Sequence, residues 1–381
     1  VSHDCISFPH KSRASNSKMA FNGAAHFPAQ QNSEDETYHY AWQLITASVP
    51  FMMLKAAIEL DLLEIISKAG PGGHVSPCEI VSHIQTDNPE ATDMVDRILF
   101  LLASYSIVTC RTETFPDGST ARSYGLGPVS KYLINNEDGA SLAALCMTDK
   151  TFMECWYFVK DAVIKGGTPF QLAHGTSSFD FQKKDAKLNK LYNMAMQHNS
   201  TIIMKEFLKI YNGFEGINTL IDVGGGMGVS LRMILAKYPS IKGVNLDLAQ
   251  VTAHAPPYPG MEHVSGNMFE SVPKGDAMFI KGILHNWSDE LCVKMLKNCY
   301  DALPAKGKAI IVERMMPDEP DSTVATKMVT HMDAIMLAQY VGGKERNQYQ
   351  FRELGRKAGF EGFHIACCAI GFYAIELLKD P

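Results

Sequence analysis

Residues 222–228 of this 381-residue chain read Asp222-Val223-Gly224-Gly225-Gly226-Met227-Gly228. They follow a short apolar run and precede the helical spacing of Leu231, Ile234 and Leu235. Glycines at a strand-to-helix turn let a small ligand approach the backbone at the mouth of a sheet. Two ligand classes use such turns. A dinucleotide fingerprint begun at Gly224 needs a small residue at 229, where Val229 stands. The G-x-G-x-G spacing suits S-adenosylmethionine better, a ligand with no pyrophosphate to seat on a helix N-terminus. A glycine turn kept for packing alone is the bland alternative. The next apolar run ends in Asp247, placed to accept hydrogen bonds from the ribose hydroxyls of either cofactor.

A second group of residues follows the run 276–281. His285 lies just past it, at the carboxyl edge where open sheets hold their ligands, and Glu313 ends the run after that. An imidazole there can take a proton while an acid fixes its other nitrogen. A lone histidine after a strand is otherwise a surface or capping residue. No tight His/Cys/Asp cluster has metal-ligand spacing along the chain, so no metal is expected.

The elements that must position these residues are short apolar runs at 218–223, 241–247, 261–265, 276–281 and 308–313, most of them separated by helical stretches. That alternation predicts an α/β fold with a parallel, doubly wound sheet. The chain ahead of it is mostly helical. A helix is expected over Tyr40–Val49 up to Pro50 and another over Met52–Ile66, closed by Gly70-Pro71-Gly72-Gly73. Ser76-Pro77-Cys78-Glu79 has the form of a capping box opening a short helix. A further helix starts near Asn88-Pro89-Glu90, and Pro116-Asp117-Gly118 marks a hairpin. This is a winged-helix pattern, but its second helix carries Glu90, Asp93 and Asp96 against Arg97. That is the wrong sign for a phosphate groove. Residues 1–18 have no apolar core for a signal peptide, and 1–34 read as a disordered leader.

Composition narrows the class. Hydrophobic residues make up 46% and charged residues 20%, as in a globular protein. With 35 Lys+Arg against 41 Asp+Glu the net charge is −6, which disfavours nucleic acid and anionic membrane as partners. Lys55, Glu59 and Asp61 interrupt the apolar stretches well short of a membrane span. Nine cysteines without a C-x-x-C predict reduced thiols and a cytoplasmic protein.

The Asp222–Gly228 run, Asp247, Gly266-Asn267-Met268-Phe269 and the segment Lys281–Asp289 together resemble plant small-molecule O-methyltransferases of the caffeic acid 3-O-methyltransferase-like family. Gly342-Gly343-Lys344-Glu345-Arg346, Asn136–Gly139 and Tyr211–Gly216 extend the likeness over roughly residues 34–379. The resemblance implies an N-terminal winged-helix-like dimerisation domain over 35–140 and a Rossmann-like methyltransferase domain over 141–381. Within the latter, 141–212 would be a helical substrate-pocket segment and 213–381 the sheet. It implies a homodimer through the N-terminal helices, S-adenosylmethionine as donor, a small phenolic substrate and no metal. A free phenol has a pKa near 10, so ionising it at pH 7 costs roughly 4 kcal/mol and calls for a base on the hydroxyl. By resemblance that base is His285, supported by Glu313 and Glu345.

The implied donor set is Gly224, Asp247, Leu248, Asn267, Met268 and Lys281. Asn267 stands where the family usually has Asp, which keeps an acceptor but loses the charge, so weaker and retained donor binding is expected. Asn286 likewise replaces an Asp, and Gly282 stands where Trp is common. The implied substrate wall is Met147, Phe152, Trp156, Phe179, Met196, Asn199, Met336 and Tyr340. Lignin-type members carry Asn at 147 and 340 and His at 199, so a less polar pocket is expected, fitted to a phenylpropene, stilbene, lignan, flavonoid or hydroxycinnamic phenol. A Rossmann oxidoreductase, a winged-helix regulator and a donor-binding homologue without activity are the competing readings.

Overall fold

The computed structural model describes residues 33–146 and 149–380, so the leader expectation up to residue 32 and Met147 lie outside the described residues, and Ser33 and Glu34, expected in that leader, begin the first helix. Contacts divide the chain after Asn135 into two compact units.

In the first unit, helices span Ser33–Ile45, Ser48–Glu59, Leu62–Ser67, Pro77–Val81 and Ala91–Ser104. Strands β1 (Val108–Thr114) and β2 (Thr120–Leu126) form an antiparallel hairpin. The single helix expected over Met52–Ile66 is two, broken at Asp61, whose φ of +54° turns the chain. Asp tolerates that left-handed conformation better than most side chains. Pro50 does not end a helix. It sits in the first turn of Ser48–Glu59, where its missing N–H has no intrahelical partner to lose. The capping box at Ser76 and Glu79 forms as expected. Ala57, Leu62, Ile66, Ile80, Leu99 and Leu102 make the core. Tyr38, Trp42 and Ile45 remain exposed.

The second unit holds a seven-stranded sheet of β3 (Thr219–Val223), β4 (Lys242–Asp247), β5 (Met261–Ser265), β6 (Ala277–Lys281), β7 (Lys308–Glu313), β8 (Gly362–Ala369) and β9 (Phe372–Leu378). Their order is β5-β4-β3-β6-β7-β9-β8. Strands β3 to β7 are parallel and coincide with the five runs read from the sequence. The sheet is not wholly parallel, which corrects that expectation. Ile370 and Gly371, at φ +44° and +82°, fold 362–378 into a hairpin, and β9 pairs antiparallel with β7. Each central strand is buried on both faces. Ile221, Met278, Ile280 and Ile311 pack with Met295, Leu296 and Phe351; Leu220, Phe279, Ile310 and Val312 pack with Phe207, Leu231 and Ile234.

The strand order reverses between β3 and β6, so the glycine turn after β3 and the turn after β6 border one crevice, where ligands bind in open α/β sheets. No single helix among the described residues is long and apolar enough to cross a membrane. Among the described residues seven cysteines carry free thiols, whereas Cys78 is disulfide-bonded, a departure from the expected reduced thiols.

The long helix Ala186–Ile210 is pinned to the sheet at its end. Tyr211 donates to Glu376 Oε1 at 2.6 Å, and Lys308 Nζ reaches the same oxygen at 2.7 Å. Burial works to raise the Glu376 pKa, but these donors outweigh it and hold it below the usual carboxylate range. The contribution is therefore present above that range and is lost as pH falls through the depressed pKa. Tyr211→Phe should lower the unfolding free energy by about 1.5–3 kcal/mol, the usual size of a hydrogen bond to a charged group. Urea denaturation near neutral pH checks this, and the difference should shrink in acid.

Candidate active site

The glycine turn is shaped by what surrounds it. Gly224 and Gly226 have φ of +72° and +58°. A Cβ on Gly224 would lie 2.7 Å from Ile283 Cδ1, and one on Gly225 would lie 2.1 Å from Asn245 Oδ1. Neither position has room for a side chain. The loop is then tied to the neighbouring strand. Gly226 N–H donates to Asp247 Oδ2 at 2.8 Å, Leu248 N–H to Asp247 Oδ1 at 2.7 Å, and Asn245 Nδ2 to the Gly226 carbonyl at 2.9 Å. Asn245 Nδ2 also faces His263 Nδ1 at 3.0 Å, while the opposite ring nitrogen faces the Pro256 carbonyl. That carbonyl only accepts, so the proton sits on Nε2 of His263 and Nδ1 accepts.

Charge in this crevice is mostly negative and buried. Burial pushes the Asp222 carboxyl up to about 7, against Lys281 and with help from Asp247. Burial also raises Asp247, opposed by the N–H groups of Leu248 and Gly226. Lys281 is pulled down by burial, with Asp222 and Glu313 resisting, and its amine donates to Ser200 Oγ at 2.9 Å. Asp222 Oδ2 and Asn245 Oδ1 are buried without a partner. Orphaned acceptors beside two carboxylates fit a ligand that carries N–H groups and positive charge. A pyrophosphate placed there would meet like charge.

At the far side of Asp247 the turn 266–270 closes on itself. Asn267 Oδ1 accepts from Phe269 N–H at 3.1 Å, and its amide nitrogen donates to Glu270 Oε1 at 3.0 Å. These two partners fix which way the amide points, leaving the oxygen one free lone pair. Met268 holds Asn298 through its carbonyl at 2.9 Å, and its sulfur lies 3.8 Å from a Cβ placed on Gly224. Leu248 is exposed at the end of β4.

The turn after β6 carries His285, whose Nδ1 lies 2.9 Å from Glu345 Oε1 and 3.8 Å from Glu313 Oε2. Both acids are almost wholly buried. Glu313 Oε1 accepts from the N–H groups of Ile283 and Leu284, each at 2.8 Å, so it anchors the turn that presents the ring. Burial works to lower the His285 pKa, but the two carboxylates outweigh it and the pKa rises above the ordinary 6.5. Glu313 is raised by burial, against His285. A carboxylate only accepts, so Nδ1 carries the proton shared with Glu345 and Nε2 is the free basic nitrogen. Gly282, at φ +64°, would place a Cβ 3.9 Å from that Nε2, and with no side chain there the flank is open. Along the chain no compact histidine–acid set is visible. Folding brings these three to within 4.8 Å of one another. With its proton committed to Glu345, Nδ1 has no lone pair left for a cation.

Aromatic rings border this turn. Phe179 stacks on Trp287 at 5.5 Å and leans on Tyr340 at 5.0 Å, and Trp287 meets Phe269 edge-on at 4.8 Å. Tyr340 and Tyr192 bring their hydroxyls to 3.3 Å, and Phe152 lies 6.2 Å from the Tyr192 ring. Burial raises both phenols, so they stay neutral. Gln182 donates to Ser178 Oγ nearby at 3.2 Å. The wall thus holds buried hydroxyls beside its apolar rings. Met336 is buried on helix Val324–Gln339, and Met196 and Asn199 are half-buried on Ala186–Ile210. Trp156 is turned toward Cys155 and Phe170.

Two participants carried no signal of their own: Asn245 read as an ordinary strand residue and Asp333 as one polar residue of a Met-rich helix. Asp222 and Arg346 were named only as members of motifs, without a role. Asp333 accepts from Glu345 N–H at 2.9 Å.

Comparison with known proteins supplies the context. Residues 156–361 match the O-methyltransferase domain and residues 42–136 the O-methyltransferase dimerisation domain. The chain is 55% identical to caffeic acid 3-O-methyltransferase of Eucalyptus gunnii over 92% of this chain and 96% of that one. It is 53% identical to caffeic acid 3-O-methyltransferase 1 of Ocimum basilicum over 93% and 99%. Among solved structures, human N-acetylserotonin methyltransferase in complex with SAM superposes with a TM-score of 0.77 at 19% identity, covering 92% of this chain and 99% of that one. CalO1, a methyltransferase in calicheamicin biosynthesis in its SAH-bound form, gives 0.74 at 25% identity, covering 90% and 98%. By domain content, identity and coverage, the chain belongs to the O-methyltransferase family.

Proposed function

We propose that this protein transfers the methyl group of S-adenosylmethionine to a phenolic hydroxyl of a plant phenylpropanoid or related phenol, with His285 as general base and without a metal. The observation that carries the reading is the hydrogen bond from His285 Nδ1–H to buried Glu345, on the same sheet edge as the glycine turn. It leaves Nε2 basic and open toward Gly282. The donor would be held by Gly224, Asp247, Leu248, Asn267, Met268 and Lys281. A sulfonium suits a crevice of buried carboxylates, and the relatives named above are methyltransferases.

In this mechanism the phenol hydroxyl gives its proton to Nε2 while the phenolate oxygen attacks the methyl carbon. The C–S electron pair departs with sulfur as the neutral thioether S-adenosylhomocysteine. Positive charge moves from sulfonium to imidazolium, where Glu345 and Glu313 receive it. Phe179, Trp287, Tyr340, Met336 and Phe152 offer the flat apolar walls that hold an aromatic ring. The free thiols among the described residues accord with a cytoplasmic protein, Cys78 excepted.

Radiolabelled S-adenosylmethionine assayed over caffeate, monolignols, phenylpropenes, stilbenes, flavonoids and lignans should label at least one class, equally with and without a chelator. Absence of transfer to every phenol, with donor bound, would sink the reaction. His285→Ala should cut kcat by about 10²–10⁴-fold and leave donor affinity in place. Because the base works neutral and its pKa is raised, kcat/KM should fall as pH drops through a value above 6.5; a pH–rate profile reads this directly.

We also propose that the protein is a homodimer through its N-terminal helices. Tyr38, Trp42, Leu44 and Ile45 stand exposed on Ser33–Ile45, more apolar surface than a lone helix leaves to water. Sedimentation at micromolar concentration should give twice the chain mass, and Trp42→Glu should reduce it toward one.

A further inference from the structure

Arg346 is the largest side chain wholly removed from solvent among the described residues. A buried guanidinium needs every donor occupied. Nη1 donates to the Leu284 carbonyl at 2.7 Å and Nη2 to the Trp287 carbonyl at 2.8 Å, while Nε and Nη2 both reach Asp289 Oδ1, at 2.9 and 2.8 Å. Asp289 in turn takes Lys344 Nζ on its other oxygen at 3.0 Å. The backbone adds a fourth tie, from Lys344 N–H to the His285 carbonyl at 2.9 Å. Three of the four carbonyls in 284–287 are thus held by residues 344 and 346. Between those two lies Glu345, whose carboxylate meets His285 Nδ1.

We infer that Arg346, seated by Asp289, is the positioning residue of the active site: it sets the distance between His285 and Glu345 by clamping the carbonyls on either side of the histidine. The segment 284–286 is a single 3₁₀ turn with little hydrogen bonding of its own, so its shape comes from outside. A planar fork spans two carbonyls and a carboxylate at once; a lysine in its place presents a point charge and cannot. The groups facing His285 are Glu313 from β7, Glu345 from the clamped strip and Lys281 from β6, with Arg314 facing both acids. Asp333 holds the Glu345 backbone from the adjoining helix. Of the two acids, Glu313 is fixed by its own contacts to Ile283 and Leu284, so slackening the clamp changes the Glu345 contact first. The inference rests on the reading of His285 as base.

The test compares Arg346→Lys, Arg346→Ala and Asp289→Asn with the intact enzyme on any phenol that it methylates. Arg346→Lys should lower kcat by about 10- to 100-fold, as a misplaced base does. S-adenosylhomocysteine affinity by calorimetry should stay within the error of the intact protein. The acid limb of kcat/KM should move to lower pH, because an imidazole farther from Glu345 loses part of what raises its pKa. Guanidinium ion added to Arg346→Ala should restore turnover, and methylammonium should not. Should both arginine variants fail to fold, Asp289→Asn keeps the clamp but loosens its seat, and the same downward limb is expected with a smaller loss of kcat. An acid limb that stays put overturns the inference, as does loss of turnover in step with donor affinity. His285→Ala run alongside separates the two levels: retained turnover there removes the base itself, whereas lost turnover with unmoved limbs in the arginine and aspartate variants removes the positioning role alone.

Discussion

A carboxylate that is almost wholly buried organises the sheet edge that presents His285. Glu313 ends β7 with its side chain 1% exposed, and one of its oxygens takes the N–H groups of Ile283 and Leu284. Those two amides belong to the turn after β6, so a strand end on one side determines the backbone on the other. Parallel pairing of β6 and β7 supplies the register that makes this possible. Remove the acid and the turn has two buried donors without an acceptor, a cost of about 1–3 kcal/mol for each orphaned group. The turn's outer side is held by Arg346 and Lys344. The histidine between these two anchors has little freedom to leave the crevice.

The same edge concentrates negative charge away from water. Asp222, Asp247, Glu313 and Glu345 lie along it, with Lys281 facing Asp222 and Glu313 and Arg314 facing Glu313 and Glu345. Burial raises Asp222, Asp247 and Glu313, the response of carboxyls short of compensating charge. A cationic ligand relieves that shortage on entry and is attracted by it beforehand. In the proposed reaction, loss of the ligand's positive charge would weaken the attraction, while the charge gained at the imidazole would strengthen its contact with Glu345 and Glu313. In that proposal one set of acids would favour both binding before transfer and proton capture during it.

The sequence was most legible where the chain repeats a rule. The five parallel strands are continuous apolar runs because both faces are covered, and their ends fell where the runs end. The hairpin 362–378 was not seen because its strands lie at one side of the sheet, where Glu376, His364 and two cysteines interrupt the apolar run. The split at Asp61 was missed for a different reason: helical periodicity continues across it, and only a left-handed residue breaks the axis. At the site, His285, Glu313 and Glu345 were named from strand ends and motif likeness, yet their closeness is a tertiary fact. Arg346 and Asp333 act through contacts 57 and 12 residues away along the chain, and local pattern holds no trace of such pairs.

The departures from the family pattern leave the contacts of Glu313, Glu345 and Arg346 in place. Asn267 is absorbed into its own turn by Phe269 and Glu270, and Asn286 donates to the Gly282 carbonyl at 3.3 Å. Neither replaces a contact of Glu313, Glu345 or Arg346. A chain drifting away from catalysis would be expected to relax its costliest feature first, and here that feature is a set of buried acids without enough positive charge. That set is intact, with Asp222 Oδ2, Glu313 Oε2 and Glu345 Oε2 still unpartnered. Asn267 lies on the donor side and Gly282 and Asn286 flank His285 without replacing its acid partners, so in the proposed reaction the variation leaves the contacts that would serve proton transfer in place. This argues against a donor-binding homologue without activity. It directs the search for what distinguishes this chain to Asn267, Gly282 and the Tyr192–Tyr340 pair.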